Sequence, residues 1–286
     1  MVKMMTDFRK EYEEPVLVGE GGQGKVYRLK KRSGESYAAL KILTDRDRWQ
    51  NEVYILKNAD HDLFPKFYES GEENGEYYIL MEYIWGEDMA SVLTRRKGMV
   101  QPEAMRMALT IADGLGWIQT KSRPVVFRDL KAENIIITPD GNVRLVDMGS
   151  ACFVDEAGES ITGTEGASAP EQMEGNATLA SDVYAFGRLF HFMLTGINPA
   201  ENPKATLLPI TSFDENLSLS LELLIEDCTG VVPEERIPDM YSVTQRMVEI
   251  ATQTPGGYRK MEKMAAKEIA RRTEGLDVKY TKNIRE

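Results

Sequence analysis

The stretch Phe127-Arg128-Asp129-Leu130-Lys131-Ala132-Glu133-Asn134, continuing through Ile135-Ile136-Ile137 to Val146-Asp147-Met148-Gly149, constrains this chain more than any other. Two short apolar runs, Ile135 to Ile137 and Val143 to Val146, flank the turn signal Pro139-Asp140-Gly141. That pattern predicts a β-hairpin between two loops. A hairpin brings its ends together, so Asp129, Lys131 and Asn134 are expected to face Asp147 across a small gap. Two carboxylates and an amide converging there offer oxygen ligands to a hard cation. Mg²⁺ suits such a site, because substrate phosphates complete its coordination shell.

Composition narrows the alternatives. At 286 residues with 42% hydrophobic content, the chain can bury a core for one large domain or two lobes. Its formal net charge of −11 argues against nucleic acid or an anionic membrane as the main partner. Cys152 and Cys228 form neither a metal spacing nor a disulfide framework, and His61 and His191 lie in separate halves. A structural zinc site and a Ser-His-Asp hydrolase would both lack parts. The cysteine usage fits a reducing, cytoplasmic setting. Residues 1–15 are charged without an apolar centre, unlike a signal peptide. No apolar run reaches the ~18 residues that a membrane span needs.

From Pro15 to Lys30 an alternating strand pattern breaks at Gly19-Glu20-Gly21-Gly22-Gln23-Gly24 and resumes at Val26. In dinucleotide-binding folds this glycine spacing opens a helix. Here a second strand follows, so a flap over phosphates is the better reading. The next strand, Tyr37 to Leu43, is apolar except for Lys41, and a lysine inside a buried strand requires a partner. The segment from Asp45 to Asn58, capped by Thr44, predicts a helix that carries Glu52. Phe64 to Phe67 and Tyr77 to Tyr83 read as further strands, the second following the turn Glu73-Asn74-Gly75. After Gly86 the periodicity becomes helical, and Pro102 to Thr120 predicts a long buried helix.

This succession resembles the protein kinase family. Phe127 to Asn134 is similar to its catalytic loop H-R-D-L-x-x-x-N, Asp147-Met148-Gly149 to its D-F-G, and Ala169-Pro170-Glu171 to its A-P-E. The glycine loop, Lys41, Glu52, Asp182 in Ser181-Asp182-Val183-Tyr184, and the late Arg236 complete eight motifs in family order between about Val16 and Met247. The glycine-loop sequence and compact C-terminal lobe look most like bacterial serine/threonine kinases. The resemblance implies an α+β, two-lobed fold. An N-terminal extension (residues 1–15) would precede a small antiparallel lobe with one helix (16–85) and a larger, mainly helical lobe (86–250). A basic helical tail (251–286) would follow.

The resemblance also implies ATP and Mg²⁺ as cofactors, with Mn²⁺ as an alternative ion. Asp129 would accept or orient the substrate hydroxyl proton, Lys131 would neutralise the moving γ-phosphoryl, and Asn134 and Asp147 would hold two Mg²⁺ ions. Lys41, oriented by Glu52, would anchor the α- and β-phosphates beneath Gly19, Gly21 and Gly24. Glu82 and Ile84 would meet the adenine edge next to Met81, Asp88 the ribose, and Val26, Ala39 and Ile136 would complete the nucleotide site. Lys131 and Thr164 imply a protein substrate with Ser or Thr, Glu171 and Arg236 an ion pair, and Asp182 an anchor for the catalytic-loop backbone.

Phe127 departs from the family's His and Met148 from its Phe; with Leu56 and Phe67 they are expected to form one apolar column. Ala167 predicts a wider pocket beside the phosphoacceptor. Arg128 beside Asp129 implies an activation segment ordered by phosphate, with Ser160 and Thr162 as candidate sites. Asp155, Glu156 and Glu159 are the competing source of negative charge. From Tyr258 to Glu286 nine Lys or Arg face five Asp or Glu. A solvated helix on the C-terminal lobe is the preferred reading, and a membrane role arises only if the tail continues into a span outside this sequence. Two other function classes are a nucleotide-binding pseudokinase scaffold and a small-molecule kinase. The filled catalytic positions argue against the first, and the glycine loop and A-P-E segment against the second.

Overall fold

Alternating apolar side chains in the first third of the chain build one antiparallel sheet of order β1-β2-β3-β5-β4. Its strands are β1 (Val16–Gly21), β2 (Gly24–Lys30), β3 (Tyr37–Leu43), β4 (Phe67–Glu73) and β5 (Glu76–Glu82). The computed structural model describes residues 10–253, apart from Gln23, Ser160, Asn202, Lys204 and Ala205. The residues of the predicted tail after Gln253 therefore lie outside the described residues, as do the first nine of the predicted extension. Tyr12, from the stretch read as extension, is buried against Leu29, Leu40 and Tyr78 and bridges Lys31, so the packed lobe takes it in.

Helix α1 (Arg46–Asn58) buries Glu52, Val53, Ile55 and Leu56. Its cap is Asp45 rather than the expected Thr44: the Asp45 carboxylate accepts from the N–H groups of Asp47 and Arg48 at 3.1 and 3.0 Å. A carboxylate there satisfies orphan donors and also complements the helix dipole. The strand expected at Phe64 starts instead at Phe67. The Phe64 N–H donates to His61 O and its carbonyl accepts from Arg144 Nη2, so its backbone is committed to a turn. Asn74 and Gly75, at φ +54° and +81°, close the β4–β5 hairpin as the sequence suggests.

The C-terminal lobe consists of α2 (Met89–Arg96), α3 (Gln101–Gln119), α4 (Pro170–Met173), α5 (Leu179–Thr195), α6 (Leu219–Thr229) and α7 (Met240–Gln253). Helix α5 is buried around nearly its whole circumference, which makes it the axis of the lobe. Two short sheets lie between the lobes' helices: β6 (Glu87–Asp88) with β8 (Ile135–Ile137) and β9 (Val143–Leu145), and β7 (Val125–Val126) with β10 (Cys152–Phe153). One apolar core runs from Ala39 and Met81 through α3 and α5 to Met247. Leu56, Phe127 and Met148 belong to it and Phe67 packs on its edge, so the expected column shares one core. Gly86, at φ +155°, marks the passage between lobes; a Cβ there would lie 2.2 Å from the Ile137 carbonyl oxygen. Among the described residues no helix is long and apolar enough to cross a membrane. The fold is the two-lobed α+β architecture implied by the sequence resemblance.

Candidate active site

The β8–β9 hairpin pairs Ile135 with Leu145, and the Val146 N–H donates to Asn134 O at 3.0 Å. That register sets Asn134 one residue from Asp147. The Asn134 amide nitrogen donates to the backbone oxygen of Asp129 at 2.8 Å and to Asp129 Oδ2 at 2.9 Å. Lys131 Nζ stands 3.0 Å from Asp129 Oδ1 and donates to Thr164 Oγ1 at 3.0 Å. The Thr164 hydroxyl donates to Asp129 Oδ1 at 3.2 Å. Asp129, Lys131, Asn134 and Thr164 thus form one bonded group.

Across the site, Lys41 is only 3% exposed and donates to both Glu52 oxygens at 2.8 Å and to Asp147 Oδ1 at 3.1 Å. The connection from β3 to α1 is just Thr44 and Asp45, so the short spacing between Lys41 and Glu52 still closes the pair. Burial works against the Lys41 charge, but the Glu52 and Asp147 carboxylates outweigh it and hold the ammonium above its ordinary range. Burial likewise pushes Asp147 up. The Lys41 charge and the Gly149 N–H, 2.9 Å from Oδ1, overcome that and hold Asp147 below the usual carboxylate range.

The catalytic loop is fixed from below. Arg128 adopts φ +67°, a left-handed conformation that disfavours a residue with Cβ by roughly 1–2 kcal/mol. Asp182 of α5 accepts from the N–H groups of Phe127 at 2.8 Å and Arg128 at 2.9 Å, and from Gln119 Nε2 at 2.9 Å. Burial nevertheless pushes the Asp182 carboxyl up to about 6. Gln172 Nε2 donates to the carbonyls of Arg128 and Thr162 at 2.6 and 2.7 Å. Arg128 Nε donates to Ser150 O at 2.6 Å. Arg236 pairs with Glu171 through both guanidinium nitrogens at 2.8 and 2.9 Å, and Ser181 Oγ donates to Glu171. Burial raises the Glu171 carboxyl, but these donors more than compensate and hold it below its ordinary range.

The remaining predicted residues occupy the edges of the same region. Val26 lies opposite Lys41 and Ala39 opposite Met81 in the sheet; Glu82 ends β5, Ile84 follows it, and Ile136 pairs with Asp88. Glu82 is ion-paired to Arg144 at 2.6 Å, and Asp88 caps α2 by accepting from the Ser91 N–H and hydroxyl at 2.8 Å. Gly19 and Gly21 belong to β1 and Gly24 to β2. Gly24, at φ +126°, is required by the fold, since a Cβ would fall 2.2 Å from Ile42 O, whereas a Cβ at Gly21 would meet nothing within 4 Å. Of the candidate phosphosites, Ser160 lies outside the described residues. Thr162 Oγ1 is buried without a partner among the described residues. Ala167 lines a pocket with Leu130, Thr164, Leu189 and Pro199.

Among the described residues no cluster of three or more His, Cys, Asp or Glu side chains is placed to hold a metal. The Asp147 carboxylate and Asn134 Oδ1 instead offer oxygen donors, since the Asn134 amide nitrogen is engaged with Asp129. Such a set fits Mg²⁺ or Mn²⁺ whose shell is completed by phosphate oxygens. Sequence reasoning missed Gln119 and Gln172. Gln119 had a signal, a polar residue on the buried face of α3; Gln172 had none, because its partners are backbone carbonyls remote in sequence.

Comparison with known proteins gives the same family. The model of the protein kinase domain matches residues 12–247. The probable serine/threonine-protein kinase PknB of Lactococcus lactis is 26% identical over 285 residues, covering 92% of this chain and 45% of that protein. The serine/threonine-protein kinase pkn3 of Myxococcus xanthus is 29% identical over 217 residues, 68% of this chain and 39% of the relative. The mouse cAMP-dependent protein kinase catalytic subunit PRKX is 30% identical over 200 residues, 66% of this chain and 56% of its own length. The chain therefore spans about half the length of these relatives, or less. With the family's domain running from Tyr12 to Met247 and its motifs gathered around Asp129 and Asp147, the chain belongs to the protein kinase domain family.

Proposed function

We propose that this chain is a protein serine/threonine kinase that transfers the γ-phosphoryl group of Mg-ATP to a Ser or Thr hydroxyl of a protein. One observation carries the proposal: the Thr164 hydroxyl bonds Asp129 Oδ1 at 3.2 Å and Lys131 Nζ at 3.0 Å together. A hydroxyl can thus sit within proton-transfer reach of a carboxylate while a cation stands beside it. In the reaction a new bond forms from the substrate oxygen to the γ-phosphorus, and the bond from that phosphorus to the β,γ-bridging oxygen breaks. Asp129 orients the attacking hydroxyl and receives its proton, and Lys131 balances the charge of the transferring group.

Lys41, already charged and aimed by Glu52, contacts the α- and β-phosphates. Asp147 and Asn134 would hold Mg²⁺, which when bound would neutralise charge on the phosphate oxygens. Gly21 supports a phosphate-covering flap, since nothing in the fold itself demands glycine there. Val26, Ala39, Ile136 and the backbone of Glu82 and Ile84 take the adenine, and Asp88 the ribose. Asp182, Glu171 and Arg236 keep the catalytic loop and activation segment in place. The lobes correspond to residues 16–85 and 86–250. Buried, unpaired Cys152 and Cys228 fit a reducing cytoplasm.

Autophosphorylation at Ser160 or Thr162 is part of the proposal; the buried Thr162 hydroxyl requires the segment to move first. Mass spectrometry of protein made with and without Asp129→Asn tests it. The main test is γ-labelled ATP turnover on a generic protein substrate, comparing wild type with Lys41→Ala and Asp147→Asn. Transfer lost in both variants is the expected result; no transfer by wild type above the variants would favour a nucleotide-binding scaffold.

A further inference from the structure

After the metal loop the chain forms an acidic turn, Val154–Glu159, that the phosphoryl-transfer chemistry does not use. Two of its carboxylates meet Arg123. Glu156 Oε1 lies 2.5 Å from Arg123 Nη2, and both Asp155 oxygens lie 3.4 Å from the same nitrogen. The other Glu156 oxygen accepts from Asn51 Nδ2 at 3.3 Å. Asn51 immediately precedes Glu52 on α1. The Arg123 guanidinium also stands 3.5 Å from the Phe153 ring centroid, and that ring meets Tyr54 of α1 edge-on at 4.9 Å.

Asn51 and Tyr54 are three apart and share one face of the helix. A polar contact and an aromatic contact therefore fasten α1 to the same guanidinium. Close by, a cavity of about 130 Å³ opens between Tyr54, Ile55 and Asn58 of α1 and Ile118, Lys121 and Val125 below it.

We infer that Arg123 and Glu156 are positioning residues that hold α1 where Glu52 can aim Lys41, a contact that needs no phosphate on the activation segment. The inference rests on the kinase reading above. Neither residue touches nucleotide or acceptor in it; they act through the Lys41–Glu52 pair. The Arg123 and Glu156 side chains are 42% and 36% exposed, so the contact is modest and sensitive to salt.

The test uses the full chain as wild type, Glu156→Gln, Arg123→Ala, the double variant, and the charge swap Arg123→Glu with Glu156→Arg. In wild type and Ser160→Ala/Thr162→Ala protein alike, phosphoryl transfer should proceed. Glu156→Gln should lower kcat/KM for Mg-ATP about three- to five-fold, and Arg123→Ala, which also loses the ring contact, about ten-fold. The double variant should be no worse than Arg123→Ala, and the swap should restore part of the loss. Backbone hydrogen exchange across Asn51 to Leu56 should quicken in both single variants. Unchanged exchange and kinetics, additive losses, or transfer abolished by Ser160→Ala/Thr162→Ala would overturn the inference. Failure of wild type to transfer phosphate would instead refute the kinase reading, leaving hydrogen exchange to decide whether Arg123 and Glu156 hold α1.

Discussion

Asp182→Ala probes how the catalytic loop is held. The substitution strands the N–H groups of Phe127 and Arg128 and the Gln119 amide, each of which now donates to the carboxylate at 2.8–2.9 Å. A buried donor without a partner costs about 1–3 kcal/mol. Against this, the rise of the Asp182 carboxyl from 3.8 to about 6, which is burial less the effect of these same bonds, corresponds to a net penalty of about 3 kcal/mol on the ionised form, which the variant no longer bears. Three such donors cost about 3–9 kcal/mol, so the net expectation is a loss centred on about 3 kcal/mol, or roughly 6–12 °C in melting temperature for a domain of this size. The pH dependence has a definite sign. A carboxyl whose folded value is raised contributes stability that is fully present below its unfolded value and lost as pH rises through its folded value. The deficit of Asp182→Ala should therefore widen as pH falls from 7 toward 4. Urea unfolding of both proteins across that range is the assay. A variant as stable as wild type, or a deficit that narrows with acid, would refute the reasoning.

Three further outcomes follow from the same geometry. Lys41→Met leaves Glu52 and Asp147 without their shared cation and should lower stability by about 3–5 kcal/mol in denaturant titration, with part recovered by adding Glu52→Gln. Glu171→Gln breaks the pair with Arg236 and should be destabilised by about 3 kcal/mol at neutral pH. Because the folded Glu171 value is depressed, its contribution is present above the unfolded value and lost as pH falls through the folded one, so wild type and variant should converge in acid unfolding. Gly24→Ala should lower the melting temperature because its Cβ would meet Ile42 O at 2.2 Å, whereas Gly21→Ala should melt as wild type yet bind Mg-ATP more weakly in titration calorimetry.

The parts of this protein legible in the sequence are those in which chemistry and local pattern coincide. Asp129, Lys131 and Asn134 lie within six positions and lead into a hairpin, so their convergence on Asp147 follows from one turn signal. Lys41 was visible as a charge inside an apolar strand. The start of α1 and the site of β4 were misread because local hydrogen bonding chose between near-equal candidates: Asp45 outcompetes Thr44 for the cap, and a turn captures the Phe64 backbone. Gln119 was marked only as a polar residue on the buried face of α3, whereas Gln172 and the Arg123–Glu156 contact were not legible, because they join residues 44 and 33 positions apart with no periodic signal.

The central claim is that Asp129 serves the acceptor hydroxyl and leaves the nucleotide to other residues. Steady-state kinetics of Asp129→Asn against wild type, with Mg-ATP and a protein substrate varied in turn, tests it most directly. Loss of a positioned base should lower kcat by about a hundred-fold or more, while KM for ATP stays within about two-fold because Lys41 and Asp147 are untouched and Asn134 keeps its bond to the Asp129 backbone oxygen. A variant that keeps wild-type kcat, or whose defect lies wholly in KM for ATP, would contradict the account.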